Sequence, residues 1–220
     1  MIYNHGSEQK PNPCGPPDLA AFYRDHGFAF FAFQRHGHDP SPGEYIGDLQ
    51  KQAFARHLLD QPAARREINK LHELYNLDVE AAVDWVKHQK WADSNHIVMT
   101  GISYGGIQTL LTAEKGLGIK AFLPFAPAAM SWNPVLADRL KEAVHKARGP
   151  IFLVQAANDF SIEPSKVLGP ELEKRGAPNR AKIYPAFGTT PQQGHGAFGS
   201  RAGGIQIWCN DVLAFLKPLI

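Results

Sequence analysis

The chain has 220 residues, enough for one domain with one sizeable core, and its 44% hydrophobic and 20% charged content is ordinary for a globular protein. A formal net charge of +2 excludes the electrostatic footprint of a nucleic-acid or anionic-membrane binder. Two cysteines, Cys14 and Cys209, are too few for a disulfide framework or a cysteine zinc site. Both suit a reducing compartment. No apolar run approaches the ~20 residues needed to span a bilayer, and residues 1–10 lack the layout of a signal peptide. The expectation is a single soluble, cytoplasmic domain with no nucleic-acid or membrane partner.

Short apolar runs alternate with longer amphipathic ones, which predicts an α/β fold: a mostly parallel sheet with helices on both faces. In chain order, strands are expected at Met1–Asn4, Phe28–Phe33, His96–Thr100, Ile119–Phe125, Ile151–Ala156 and Ala181–Tyr184. Their nearly continuous apolar character is what a strand covered on both sides requires. Helices are expected at Asp18–His26, Asp78–Lys90, Gly105–Lys115, Val135–Ala147, Ser165–Arg175 and Gly204–Leu216. Residues 44–75 depart from the alternation, with two amphipathic patterns separated by Pro62. They read as a helical insertion after the second strand that packs on the core and is a candidate lid. His57, His72, His88 and His145 read as solvated helix residues, and Arg65-Arg66 as a solvated face.

The sharpest motif is Gly101-Ile102-Ser103-Tyr104-Gly105-Gly106, which follows an apolar run and opens onto a helix-like segment. A strand that turns directly into a helix strains the serine at its apex and lifts its hydroxyl clear of the sheet. Such a hydroxyl is a weak nucleophile until a base takes its proton. His195, in a glycine-flanked loop before the last helix, is the candidate base. Asp159, at the C-terminal end of the 151–156 strand, is the candidate carboxylate, preferred over Glu163 because Pro164 places the latter beyond the strand end. The order Ser103, Asp159, His195 is the one expected of a nucleophile elbow on such a sheet. Oxyanion donors are expected from the backbone N–H of Tyr104 and from Ser7, with Gly6 the near alternative.

With these elements in place the chain resembles the α/β-hydrolase superfamily, and within it the dienelactone hydrolase and prolyl-oligopeptidase-like esterase branch. The resemblance rests on Asn4-His5-Gly6-Ser7, on Arg35-His36-Gly37-His38-Asp39-Pro40-Ser41-Pro42-Gly43, on the Ser103 elbow, on Asn158-Asp159 and on Gly194-His195-Gly196. It implies a serine hydrolase that forms an acyl-enzyme, uses no cofactor or metal, and acts on a small ester. Dienelactone hydrolases proper carry a cysteine nucleophile, so Ser103 favours ordinary esters of short-to-medium chain over lactones. The same machinery serves small peptidases, thioesterases and lactonases, and the fold can also serve a non-catalytic binding protein. Trp132, Phe160, Phe198 and Met130, together with Phe125, are placed near strand ends where apolar pockets form, and Arg35 either recognises a carboxylate or braces its loop.

The resemblance also places one or two strands ahead of the strand bearing the His-Gly turn, whereas this chain begins inside that strand, as if shortened at the N-terminus. The Phe28–Phe33 strand then becomes an apolar edge, and a homodimer through that edge is expected. His36, His38 and Asp39 lie close together in sequence, but a hydrolytic metal site needs three converging ligands and an open position, so no metal is expected. A histidine base works only when neutral, so the rate is expected to rise with pH across the range in which imidazoles titrate.

Overall fold

The computed structural model describes all residues, Met1 to Ile220. Six parallel strands form one sheet in the order β2-β1-β3-β4-β5-β6. They are β1 (Ile2–Asn4), β2 (Phe31–Ala32), β3 (Val98–Ile102), β4 (Ala121–Phe125), β5 (Phe152–Ala156) and β6 (Arg180–Tyr184). The period-two alternation of the strands divides the core. Ile2, Met99, Phe122 and Leu153 face one side, under helices α2 (Ile46–Arg56), α3 (Gln61–Lys87), α4 (Tyr104–Ala113), α5 (Pro134–Lys146) and α6 (Glu163–Lys174). Tyr3, Val98, Ile102, Leu123, Phe125, Phe152 and Val154 face the other, under α1 (Pro17–Asp25) and α8 (Ala202–Leu216). No helix is long and apolar enough to cross a membrane.

Three expectations change. The Phe28–Phe33 strand contracts to Phe31–Ala32, because β1 offers ladder partners only at Ile2 and Tyr3. The phenylalanines are half-buried by packing to opposite sides: Phe28 and Phe30 against the α1 core, and Phe31 and Phe33 against the α3 core. Phe31 also stacks on Trp85 at 5.0 Å between ring centroids. The 44–75 segment and the Asp78–Lys90 helix are not separate pieces. The chain breaks before Pro62, and a single 27-residue helix then runs from Gln61 to Lys87. Pro62 sits in its first turn, where a missing N–H is harmless, and Asp60 caps it by accepting the Ala63 N–H at 2.9 Å. Nothing between Pro62 and His88 breaks the helix, and Asn76 is tied inward to Gln108 and Thr112 of α4. Finally, His72 is buried on the inner face of α3 rather than solvated.

Candidate active site

Ser103 stands between β3 and α4 with φ 61° and ψ −117°, a left-handed backbone that a non-glycine residue adopts only where its surroundings force it. Its N–H donates to the Phe125 carbonyl at 2.9 Å, which pins the elbow to β4. The crossing leaves no space for side chains on either side. A Cβ at Gly101 would meet the Gly105 carbonyl, and one at Gly105 would meet the Asn4 carbonyl of β1. The backbone N–H of Tyr104, the first residue of α4, belongs to the open end of that helix.

His195 lies not in an open loop but within a π-helical turn, Gln193–Ala197, that runs into the short helix α7 (Phe198–Ser200). Its Nδ1 is 2.8 Å from Asp159 Oδ1. The ring is buried, and Nε2 has no partner of its own. The Asp159 carboxylate is completely covered. It accepts from the Phe160 N–H at 2.7 Å and from Gln155 Nε2 at 2.7 Å as well as facing His195. Three donors on one carboxylate fix its orientation, and its contact with Nδ1 favours the tautomer that carries the ring proton there, with Nε2 as the acceptor. Asn158 fixes the histidine segment from below, bonding the Phe187 backbone twice and the Thr190 carbonyl once. A Cβ at Gly194 would strike Asn158, at 2.8 Å from its Cγ.

Ser103 and His195 open onto the same cleft of about 430 Å³, lined also by Tyr3, Gly6, Ser7, Glu8, Ile102 and Met130. Met130 also borders a second hollow of about 300 Å³ between α2, α3 and the β4–α5 loop. Phe54, Ile68, Trp132 and Leu136 form the apolar part of that hollow, and Asn69 and His72 part of its polar wall. Phe160 meets the His195 ring edge-on, with centroids 5.4 Å apart.

Of the side chains expected to touch substrate, only Met130 lines the Ser103 cleft; Trp132 lines the second hollow, Phe160 flanks the His195 ring, and Phe198, Phe125 and Arg35 reach neither space. Phe198 is core: it packs on Tyr184 and Phe187, and its carbonyl accepts from Trp208 Nε1 at 2.9 Å. Phe125 likewise packs on Trp208 beneath the sheet. Arg35 is completely buried, and its Nη2 donates to the carbonyls of His5 and Gly6, both at 2.8 Å. It braces the loop and is not available to a substrate carboxylate. His36, His38 and Asp39 do not converge as ligands. His36 faces Asp78, His38 Nδ1 donates to the Glu8 carbonyl, and Asp39 pairs with Lys10. No group of three His, Cys, Asp or Glu side chains is arranged so that it could hold a metal ion.

A model described as the dienelactone hydrolase family matches residues 23–201. The chain belongs to this family. Its parallel sheet and flanking helices are those of the α/β-hydrolase fold. Solved structures with the same fold include the esterase Pf2001 of Pyrococcus furiosus, at 17% identity and TM-score 0.66, covering 99% of this chain and 82% of that one. A dienelactone hydrolase from Anabaena variabilis, 15% identical with TM-score 0.66, covers 100% of this chain and 85% of its own. Esterase B from Lactobacillus rhamnosis, 17% identical with TM-score 0.63, covers 99% and 75%. By sequence the chain is 25% identical over 179 residues to the polyketide transferase grgF of a Penicillium species, a match spanning 76% of this chain and about half (54%) of that protein.

Some functional neighbours were not anticipated from sequence. Gln155 is one: Ser165 Oγ donates to its Oε1 at 2.6 Å, so the amide presents its N–H to Asp159. Its signal was available, since it is the single polar residue in the buried run Ile151–Ala156. His5, His38 and Tyr45 carry no such signal, because their partners lie about 30 residues away in the chain.

Proposed function

We propose that this protein hydrolyses carboxylic esters of short-to-medium chain through a Ser103 acyl-enzyme, with His195 as general base and Asp159 as its orienting carboxylate. The observation that carries this reading is the buried Asp159–His195 pair at 2.8 Å, with His195 and a strained Ser103 lining one cleft. In the reaction, His195 Nε2 takes the Ser103 proton as Oγ attacks the ester carbonyl. The backbone N–H groups of Tyr104 and Ser7 receive the oxyanion, Asp159 supports the imidazolium, and Nε2–H then protonates the departing alkoxide. Water repeats the cycle at the acyl-enzyme and releases the acid.

The hollow beyond Met130 is the natural seat for the longer substituent, and its apolar lining by Phe54, Ile68, Trp132 and Leu136 favours an alkyl group. The test is hydrolysis of p-nitrophenyl acetate, butyrate and octanoate by wild type and Ser103→Ala. The expected result is turnover that falls by roughly 10⁴-fold or more in the variant. Equal rates for the two proteins overturn the mechanism.

Acyl transfer is a second reading, favoured by the likeness to the polyketide transferase. An acyl-enzyme yields to any nucleophile that reaches it, so product analysis with an added alcohol is expected to show transester if this reading holds and only free acid if it does not.

A further inference from the structure

The loop after β1 is held in an unusual way. Five consecutive carbonyls, from His5 to Gln9, each accept a hydrogen bond from one segment, residues 35–45. Arg35 Nη2 takes those of His5 and Gly6, the Tyr45 hydroxyl takes that of Ser7, His38 Nδ1 that of Glu8, and the Asp39 N–H that of Gln9. His5 adds a second bond to the Gly6 carbonyl from Nδ1 at 2.9 Å, while its Nε2 accepts from the Arg35 N–H at 3.2 Å. Burial first, and then the Arg35 charge, hold this imidazole far below the usual range, at about 2, so it stays neutral. By contrast, none of the N–H groups from Gly6 to Lys10 has a protein acceptor.

A peptide unit points its C=O and its N–H in opposite directions. Gripping the carbonyls of His5 and Gly6 therefore sets the directions of the Gly6 and Ser7 N–H groups, which belong to the same two peptide units, and both residues line the Ser103 cleft. The grip is also electrical. Arg35 is fully buried and makes no ion pair, and its Nε and Nη1 have no partner. Its guanidinium lies over the Tyr104 ring at 4.8 Å. An unpaired buried cation is costly, and one that bonds a carbonyl polarises the whole amide, strengthening the donor at its other end.

We propose that Arg35 is a positioning residue for ester hydrolysis, acting through the Gly6–Ser7 peptide to aim and strengthen the Ser7 N–H as oxyanion donor. This rests on the Ser103 reading above. It predicts an effect on turnover rather than on substrate binding, because the oxyanion exists only in the transition state.

The experiment is a double-mutant cycle on p-nitrophenyl butyrate hydrolysis. Ser7→Pro deletes the donor hydrogen and is expected to lower kcat on the order of 10²–10³-fold. Arg35→Lys, which keeps a cation but loses the paired grip, is expected to lower kcat roughly tenfold, less than deleting the donor, with KM little changed. In the Ser7→Pro background the same Arg35→Lys change is expected to cost almost nothing further. Arg35→Gln, which keeps N–H donors without the charge, is made in parallel so that the test does not depend on one variant folding. Equal losses from the Arg35 changes in both backgrounds overturn the assignment, as does a fall in melting temperature with kcat intact. Ser103→Ala separates this from the underlying reading: if it leaves the rate unchanged, the ester-hydrolysis mechanism falls and the Arg35 role falls with it. If only the cycle fails, that mechanism stands.

Discussion

Acid sensitivity should be written into the wall behind the elbow, and His72 gives the cleanest handle on it. This residue is 3% exposed on the inner face of α3, its ring lies 5.3 Å from that of Tyr104, and its Nδ1 has no partner. Burial, and next the charge of Arg35, push its pKa down from 6.5 to about 4. Because the folded value is the lower one, the unfolded chain takes up the proton first as pH falls. The stabilisation is therefore complete above pH 6.5 and is lost progressively down to about pH 4. A gap of this size corresponds to about 3 kcal/mol, at ~1.4 kcal/mol per pH unit. That is a large share of a typical stability of about 5–15 kcal/mol.

His72→Phe keeps the aromatic contact with Tyr104 and removes the titration. Urea denaturation followed by circular dichroism, in half-unit steps from pH 7.5 to 4.5, reads the result. Near neutrality the two proteins are expected to differ by no more than about 1 kcal/mol. On descending to pH 4.5, the variant's stability should fall less steeply by up to ~1.4 kcal/mol per unit, leaving it roughly 2–3 kcal/mol better off than at neutrality relative to wild type. Parallel curves for the two proteins would refute the argument. His5 and His38, also buried with lowered pKa values, act in the same direction and set the slope that remains.

Three other outcomes follow from the geometry. Asp159→Asn replaces a carboxylate that accepts from Phe160, Gln155 and His195. It should cost on the order of 10⁴ in kcat with little loss of folding, and retention of more than a tenth of the activity would remove Asp159 from the mechanism. Gly105→Ala drives a methyl group into the Asn4 carbonyl where α4 crosses β1. A destabilisation of about 3 kcal/mol or outright insolubility is expected, and a normal melting curve would show that the crossing has slack. The open edge at Phe31–Ala32 is proposed to pair or cover a second copy, helped by Trp85 and Trp91, which remain about half exposed. Light scattering at tens of micromolar is expected to give a dimer mass that Ala32→Pro lowers to that of a monomer, and a monomeric wild type ends the proposal.

What could be read from sequence was whatever depends on local pattern. Alternating apolar runs marked all six strands to within a few residues, except at Phe28–Phe33, where the length of a strand is decided by its partner rather than by its own composition. The elbow was legible because a β-branched run, a serine between glycines and a helix follow one another without a gap. Asp159 and His195 were placed by their positions after β5 and before the last helix. The substrate residues were harder, since an aromatic side chain near a strand end looks the same whether it faces a pocket, as Trp132 does, or the core, as Phe198 does. Arg35 shows the deeper limit: a charged residue in a polar loop reads equally as a carboxylate ligand or as a brace, and only the fold decides for the brace, with its guanidinium sealed beneath the His5 and Gly6 carbonyls. The break near Pro62 is real, between α2 and α3; the continuity that composition does not show lies further on, where the pattern of Ile68 and Leu71 passes without a gap into that of Val79 and Val83.

That continuity constrains how the enzyme can breathe. The first half of α3 supplies Ile68, Asn69 and His72 to the hollow beside Met130, and its second half buries Val79, Val83 and Val86 in the main core. A rod anchored along half its length works as a fixed beam rather than a flap: lifting its near end would pry the far end out of the sheet. Any widening of the hollow must therefore come from the opposite bank, α2 and the Met130 side chain, where Phe54 is 36% and Met130 65% exposed. Selection for new substrates would then act on these two positions while leaving α3 untouched.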